Sequence, residues 1–398
     1  MFAIGLMLLL VVPASAGATA DLGMVSCTRL EIRDHHLLHI TSGAEVPSQS
    51  GMILTDTEHG RLLRLSPDGN VYPFFENEPG WKPERPSMVW RSASGHYWIE
   101  DERKKFDRDE NELSPMDLWL ELDADFKYRG RKKIGDREAG SYSVDSIYSW
   151  APLDGDKILA LADLRGDSWL TAFIVVDLGK LGEPAHVLSV ARERDFKKLG
   201  YLSLPNIQQS ASIGELGFVL RLTGAPAVYR VSVEGPESTS ELEQLPGLGE
   251  LPDFELPTSL RGSRKQAAQF DLFERATSPV GIFALDGKLF LLAREADGLL
   301  ANWALVEIDP RSGAELRTVD LPFHSPYLLL IPGTEFLSFV EQKRVDSPQE
   351  GSSLVAQSLT RIPVARLKAQ SSSISIDECE ALRPQRSAGS RDGRGLAR

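Results

Sequence analysis

Residues 287–312 read GKLFLLAREADGLLANWALVEIDPRS. Two apolar runs of strand-like pattern are joined by a polar, Gly-containing link, and the second closes on Ile308 directly before a turn. Immediately upstream, VGIFALDG at 280–287 adds an inner strand whose last Gly marks a tight turn into the next. The unit therefore reads as three consecutive strands with short connections, and the rest of the chain repeats it.

The closing segment recurs as RLLRLSPDG, DLWLELDAD, AFIVVDLGK, AVYRVSVEG, ALVEIDPRS and SLTRIPVAR. Its apolar anchors are Leu65, Leu122, Val176, Val231, Ile308 and Ile362, spaced 57, 54, 55, 77 and 54 residues apart. The strand before each anchor reads GMILTD, GHYWIED, DKILALAD, LGFVLRL, GKLFLLARE and EFLSFVEQ. Inner strands read SMVWRSASG, SIYSWAPLDG, VGIFALDG and YLLLIPG. Three strands and a variable fourth, repeated six times at about 55 residues, describe an all-β, six-bladed β-propeller, whose radial closure protects its sheet edges. A pair of β-sandwiches is the alternative, but it does not demand a constant period. The long interval carries about 22 extra residues, within 249–278 between the fourth and fifth blades. They comprise a Pro-rich loop and a helix-like segment, SRKQAAQFDLFERA, with Ala267, Phe270 and Phe273 or Leu272 as an apolar stripe. Insertions of this kind map to loops, often on a binding face. A solvated linker is the other reading.

Composition limits the partners. The chain has 398 residues, 42% hydrophobic and 25% charged, so it has the apolar content for a large core. Its net charge is -13, and the Arg-rich segment 381–398 contributes +4, which leaves -17 on residues 1–380. A field of that sign disfavours nucleic acid or an anionic membrane surface.

The apolar run FAIGLMLLLVV at 2–12 is too short to span a core of ~30 Å and is followed by small residues. We read residues 1–20 as a signal peptide cleaved after Ala16 or Ala20, although no Lys or Arg precedes the run. The propeller then occupies 21–380 and a disordered basic tail 381–398. Export would make the protein secreted or periplasmic, with no transmembrane segment after signal cleavage. The two cysteines, Cys27 and Cys379, flank the repeats 352 residues apart. First and last blades of a propeller are neighbours, so a disulfide in an oxidising compartment is expected, with two unpaired thiols as the alternative.

The repeated G-x-h-h-h-x-D strands (GMILTD, GHYWIED) and h-x-h-D turns (LELD, VEID) resemble those of bacterial exported six-bladed propellers. These belong to the broad superfamily that includes gluconolactonase-like and NHL-repeat proteins, and the likeness covers residues 30 to 375. It implies a blade shape rather than a chemistry. The gluconolactonase-like enzymes hold a metal with Glu, Asn and Asp facing the channel, where it polarises a lactone carbonyl. Here Asn206 alone is well placed, and no Glu stands at the matching position of the first blade.

In propellers the second strand of each blade ends where the channel opens to ligands. Those ends carry Asp56, Asp101 and Asp163 in three consecutive blades, then Arg221 and Arg294 in the next two. The aspartates are candidate ligands for a divalent cation such as calcium, and the arginines for an anionic ligand. Solvated loop starts are the plainer reading of both sets. HHLLH places His35 and His39 on one face of a strand and His36 on the other, but a zinc or copper site needs more ligands than they supply. There is no G-x-S-x-G, phosphate loop, H-E-x-x-H, C-x-x-C or G-x-G-x-x-G. Trp90, Trp98, Trp119, Trp150 and Trp303 fall within strands, where blade packing explains them. The expectation is a monomeric, noncatalytic propeller that binds a protein, peptide or small-molecule ligand on its channel face. A metal-dependent lactonase or esterase-type hydrolase is the alternative.

Overall fold

A computed structural model describes residues 27–31, 38–47, 51–67, 70–74, 83–92, 94–106, 112–133, 138–153, 155–167, 169–180, 184–191, 210–221, 227–232, 243–246, 270–271, 274–275, 277–347, 351–369 and 379–382. Its strands form six blades, antiparallel except for one outer strand of the sixth. The first comprises Ile40–Val46, Gly51–Asp56, Arg61–Leu65 and Val71–Pro73, and the second Pro86–Arg91, Tyr97–Phe106, Glu112–Leu122 and Tyr128–Lys133. The third comprises Tyr142–Pro152, Lys157–Arg165, Trp169–Asp177 and His186–Ala191, with Glu138–Ala139 added beside its first strand. Ser210–Ile213, Leu216–Arg221, Ala227–Ser232 and Glu243–Gln244 make the fourth, and Ser278–Leu285, Lys288–Asp297, Leu300–Ile308 and Glu315–His324 the fifth. The sixth is Tyr327–Pro332, Phe336–Ser347 and Gly351–Pro363, completed by Thr28–Glu31 from the other end of the chain.

All six anchors lie at, or one residue before, the end of the third strand of successive blades. Each pairs with the first or second residue of the second strand, as in Met52↔Leu65, Tyr97↔Leu122 and Leu337↔Ile362. In three blades the Asp after the anchor folds the next turn. Asp123 accepts hydrogen bonds from the N–H groups of Asp125 and Lys127, Asp177 from Gly179 and Lys180, and Asp309 from Arg311 and Ser312. Asp286 and Gly287 both have positive φ, 51° and 72°, the conformation that a two-residue hairpin needs and that Asp-Gly supplies.

Blades pack face to face through buried apolar side chains. Trp90, Trp98, Trp119 and Trp150 share one cluster between the second and third blades, with the Trp119 and Trp150 rings edge-on at 4.9 Å. Leu30, Ile40, Leu54, Leu329 and Val340 join the first and sixth blades.

Cys27 and Cys379 form a disulfide, with Cα atoms 4.4 Å apart. It lies beside a strand pair that composition did not indicate: Glu380–Leu382 runs parallel to Thr28–Glu31 on the outer edge of the sixth blade. The sheet thus continues through Ala381 and Leu382, beyond the boundary drawn at 380, because the bridge brings these residues against an unpaired edge. Residues 1–20 and 383–398 lie outside the described residues. The helix with defined bounds, Val364–Ala369, follows the sixth blade rather than the fourth. Of the segment 263–276, Phe270, Asp271, Glu274 and Arg275 are described, and all four are helical.

Candidate functional site

Antiparallel pairing sets these residues opposite the first strand of their blade, as in Ile40↔Asp56, Pro86↔Asp101, Ser146↔Asp163 and Ser278↔Arg294. Of these only Asp56 ends its second strand: Tyr97–Phe106, Lys157–Arg165 and Lys288–Asp297 run on beyond Asp101, Asp163 and Arg294. These positions make up a rim, and what occupies each is decided by its local partners.

In the first blade Asp56 is fully buried. Its Oδ1 accepts the N–H of His39 and lies 2.8 Å from Nδ1 of His59, while Oδ2 accepts from Nε and Nη2 of Arg61. His39 Nδ1 lies 3.2 Å from Glu58 Oε2, and the two imidazole rings are 5.3 Å apart. His35 and His36 lie outside the described residues. Alongside, Thr41 Oγ1 lies 2.9 Å from Thr55 Oγ1 and donates to the carbonyl of Ser87, which ties the first blade to the second.

Asp101 of the second blade is also fully buried, and one oxygen accepts the N–H groups of Glu84 and Arg85, both at 2.8 Å. It therefore folds the segment that enters its own blade. Asp163 is half-buried on the third blade, opposite Thr171. Arg221 ends the second strand of the fourth blade, and its side chain lies outside the described residues. Among the described residues no three His, Cys, Asp or Glu side chains group so as to hold a metal ion. The three aspartates are not brought onto one ion, and Asn206 lies outside the described residues. What is described of this rim does not fit the metal set of the lactonases.

The fifth and sixth blades carry the most developed part of the rim. Arg294 is 1% exposed, and it donates from Nη2 to the carbonyl of Glu274 at 3.0 Å and from Nε to that of Pro326 at 3.3 Å. Burial pulls its pKa below the usual guanidinium value, against the opposing influence of Tyr327 and Glu274. Tyr327 donates its hydroxyl proton to Glu274 Oε1 at 2.6 Å, and burial followed by that bond raises its pKa well above the ordinary phenol range. Phe270 is fully buried, edge-on to the Tyr327 ring at 5.7 Å and with the Arg344 guanidinium 5.2 Å from its centroid. Arg344 also pairs with Asp271 at 2.9 Å. The C-terminal end of the insertion is thus fastened across two blades at the rim. Phe270 was readable as part of an apolar stripe, whereas Glu274, Tyr327 and Arg344 carry no distinguishing sequence signal.

No protein-family model and no curated sequence matches the chain. Solved structures that it resembles include a gluconolactonase from Xanthomonas campestris, at 10% identity and a TM-score of 0.45, over 82% of this chain and 87% of that one. A luciferin-regenerating enzyme is similar at 12% identity and 0.44, over 84% and 94%. The calcium-binding protein regucalcin from Agrobacterium tumefaciens is similar at 10% identity and 0.41, over 82% and 92%. The likeness is one of fold, and fold carries no chemistry by itself.

Proposed function

We propose that the protein is an exported, noncatalytic propeller that binds a protein, peptide or small ligand on the rim where the second strands end. The observation that carries this reading is the use made of the rim's charged groups. Asp56, Asp101 and Arg294 are buried and spend hydrogen bonds on neighbouring backbone and side chains. They shape and hold loops, as the frame of a binding surface requires. The insertion fastened at the fifth and sixth blades gives that surface an asymmetry that a bare propeller lacks. Export is supported by the disulfide, which persists in oxidising compartments, and no helix among the described residues is long and apolar enough to cross a membrane.

The test is metal analysis of the purified protein, followed by a panel of lactones and esters with and without chelator. No chelator-sensitive turnover is expected. Turnover lost with chelator, and lost again in Asp101→Asn, would replace this reading with the hydrolase. Deleting 252–269, which keeps Phe270 and Glu274, should alter ligand capture while the melting transition is nearly kept, and cell fractionation should find the protein outside the cytoplasm.

A further inference from the structure

The disulfide joins two strands that the fold holds with very different firmness. Thr28–Glu31 makes four antiparallel pairs with the third strand of the sixth blade, Leu30 is buried, and Arg29 pairs with Glu341 at 2.9 Å. Glu380–Leu382 has three residues in parallel register, and among the described residues Thr28–Glu31 is its sheet partner. Such a strand has little of its own to offset the entropy of being ordered. Cys27 is 2% exposed in a cluster with Ile362, Val364 and Leu367, while Cys379 is only half-buried.

We propose that this bridge is a redox latch on the outer edge of the sixth blade, which keeps Glu380–Leu382 as a removable cover. A dithiol reductant reaches the more open partner. Its thiolate attacks Cys379 Sγ, the Sγ–Sγ bond breaks, and Cys27 leaves as a thiolate that takes up a proton. The second thiol of the reductant then displaces Cys379 from the mixed disulfide. The reductant ends as a disulfide, and the protein as two thiols. Without its tether the short strand departs and uncovers the backbone edge of Thr28–Glu31.

The ring itself is held by contacts that the bridge does not supply. Gln342 Nε2 donates to the carbonyl of Ile40 at 2.8 Å, the N–H of Ala356 donates to the carbonyl of Leu38 at 3.0 Å, and Glu45 caps the backbone of 334–336. Release therefore stops at the cover.

Hydrogen exchange on the full chain tests this in oxidised protein, in protein reduced with dithiothreitol and alkylated, and in Cys379→Ser. Exchange at 380–382 should quicken roughly tenfold or more in both opened forms, while 334–336 keeps its protection. Unchanged protection at 380–382 would overturn the latch. So would loss of protection at 334–336 together with it, or unfolding of the reduced native protein, because the bridge would then be holding the ring.

Discussion

The carboxylate of Glu45, on the inner strand of the first blade, accepts a hydrogen bond from the N–H of Phe336 on the sixth blade, 291 residues further along. The same carboxylate accepts the N–H groups of Thr334 and Glu335 and the hydroxyl of Thr334, and Arg361 lies 3.8 Å away. Glu45 is 7% exposed, and a Cβ at Gly333 would meet its Oε2 at 2.6 Å, so the turn is shaped to receive it. The seam between first and last blades is therefore closed by a buried anion set in backbone donors as well as by a borrowed strand.

Removing that anion leaves several buried donors without a partner. Glu45→Ala should cost about 3–5 kcal/mol, and Glu45→Gln less, because the amide oxygen still accepts. Urea unfolding followed by tryptophan fluorescence measures both. Equal and negligible losses would mean that water replaces the carboxylate and that the borrowed strand carries closure alone.

The architecture was legible because blades repeat: an apolar residue recurs wherever a third strand must end, from Leu65 through Ile362, and at Asp123, Asp177 and Asp309 an Asp folds the turn that follows. Cys27 and Cys379 were legible as a pair because a closed ring makes distant ends neighbours. Thr28–Glu31 was not, since four residues show no period that separates a strand from a linker. Ala381 and Leu382 were hidden in an Arg-rich stretch whose composition argues for disorder. At the rim, sequence shows a carboxylate at a strand end but not its use. Asp101 turns inward to the N–H groups of Glu84 and Arg85, a contact made by a chain reversal 16 and 17 residues away.

Core packing predicts a comparable loss between the second and third blades. Trp119 is fully buried and edge-on to Trp150. Trp119→Ala should destabilise by about 3–5 kcal/mol, as removal of large aromatic side chains from packed cores does. A lowered denaturation midpoint with an unchanged slope is expected, since the propeller should still unfold as a unit.

Acid should weaken the fold through depressed carboxylates, Asp156 among them. Burial alone would raise its pKa, but hydrogen bonds from Ser94, Ser92 and Trp98 and the charge of His96 outweigh it and hold it below the ordinary aspartate value of 3.8. A folded pKa below the unfolded one contributes stability above 3.8, and that stability is lost as pH falls from there through the folded value. Asp156→Asn should therefore lower the melting temperature at neutral pH and flatten its fall below pH 3.8. A parallel shift at every pH would assign the loss to packing instead.

The fastening of the insertion makes a prediction in which local and global effects separate. Phe270 is covered by Tyr327 and Arg344, and Arg344 also pairs with Asp271, yet none of these contacts joins one end of the ring to the other. Phe270→Ala and Arg344→Ala should therefore free the segment at 270–277 without opening the blades. Exchange and protease cutting there should rise, while global stability changes by less than about 1 kcal/mol because ordered blades persist beneath a locally opened segment. Tyr327→Phe removes the hydrogen bond to Glu274 alone and should give a smaller rise at the same place. A global loss of about 3–5 kcal/mol in Phe270→Ala, the range for a core phenylalanine, would instead make the segment part of the blade core.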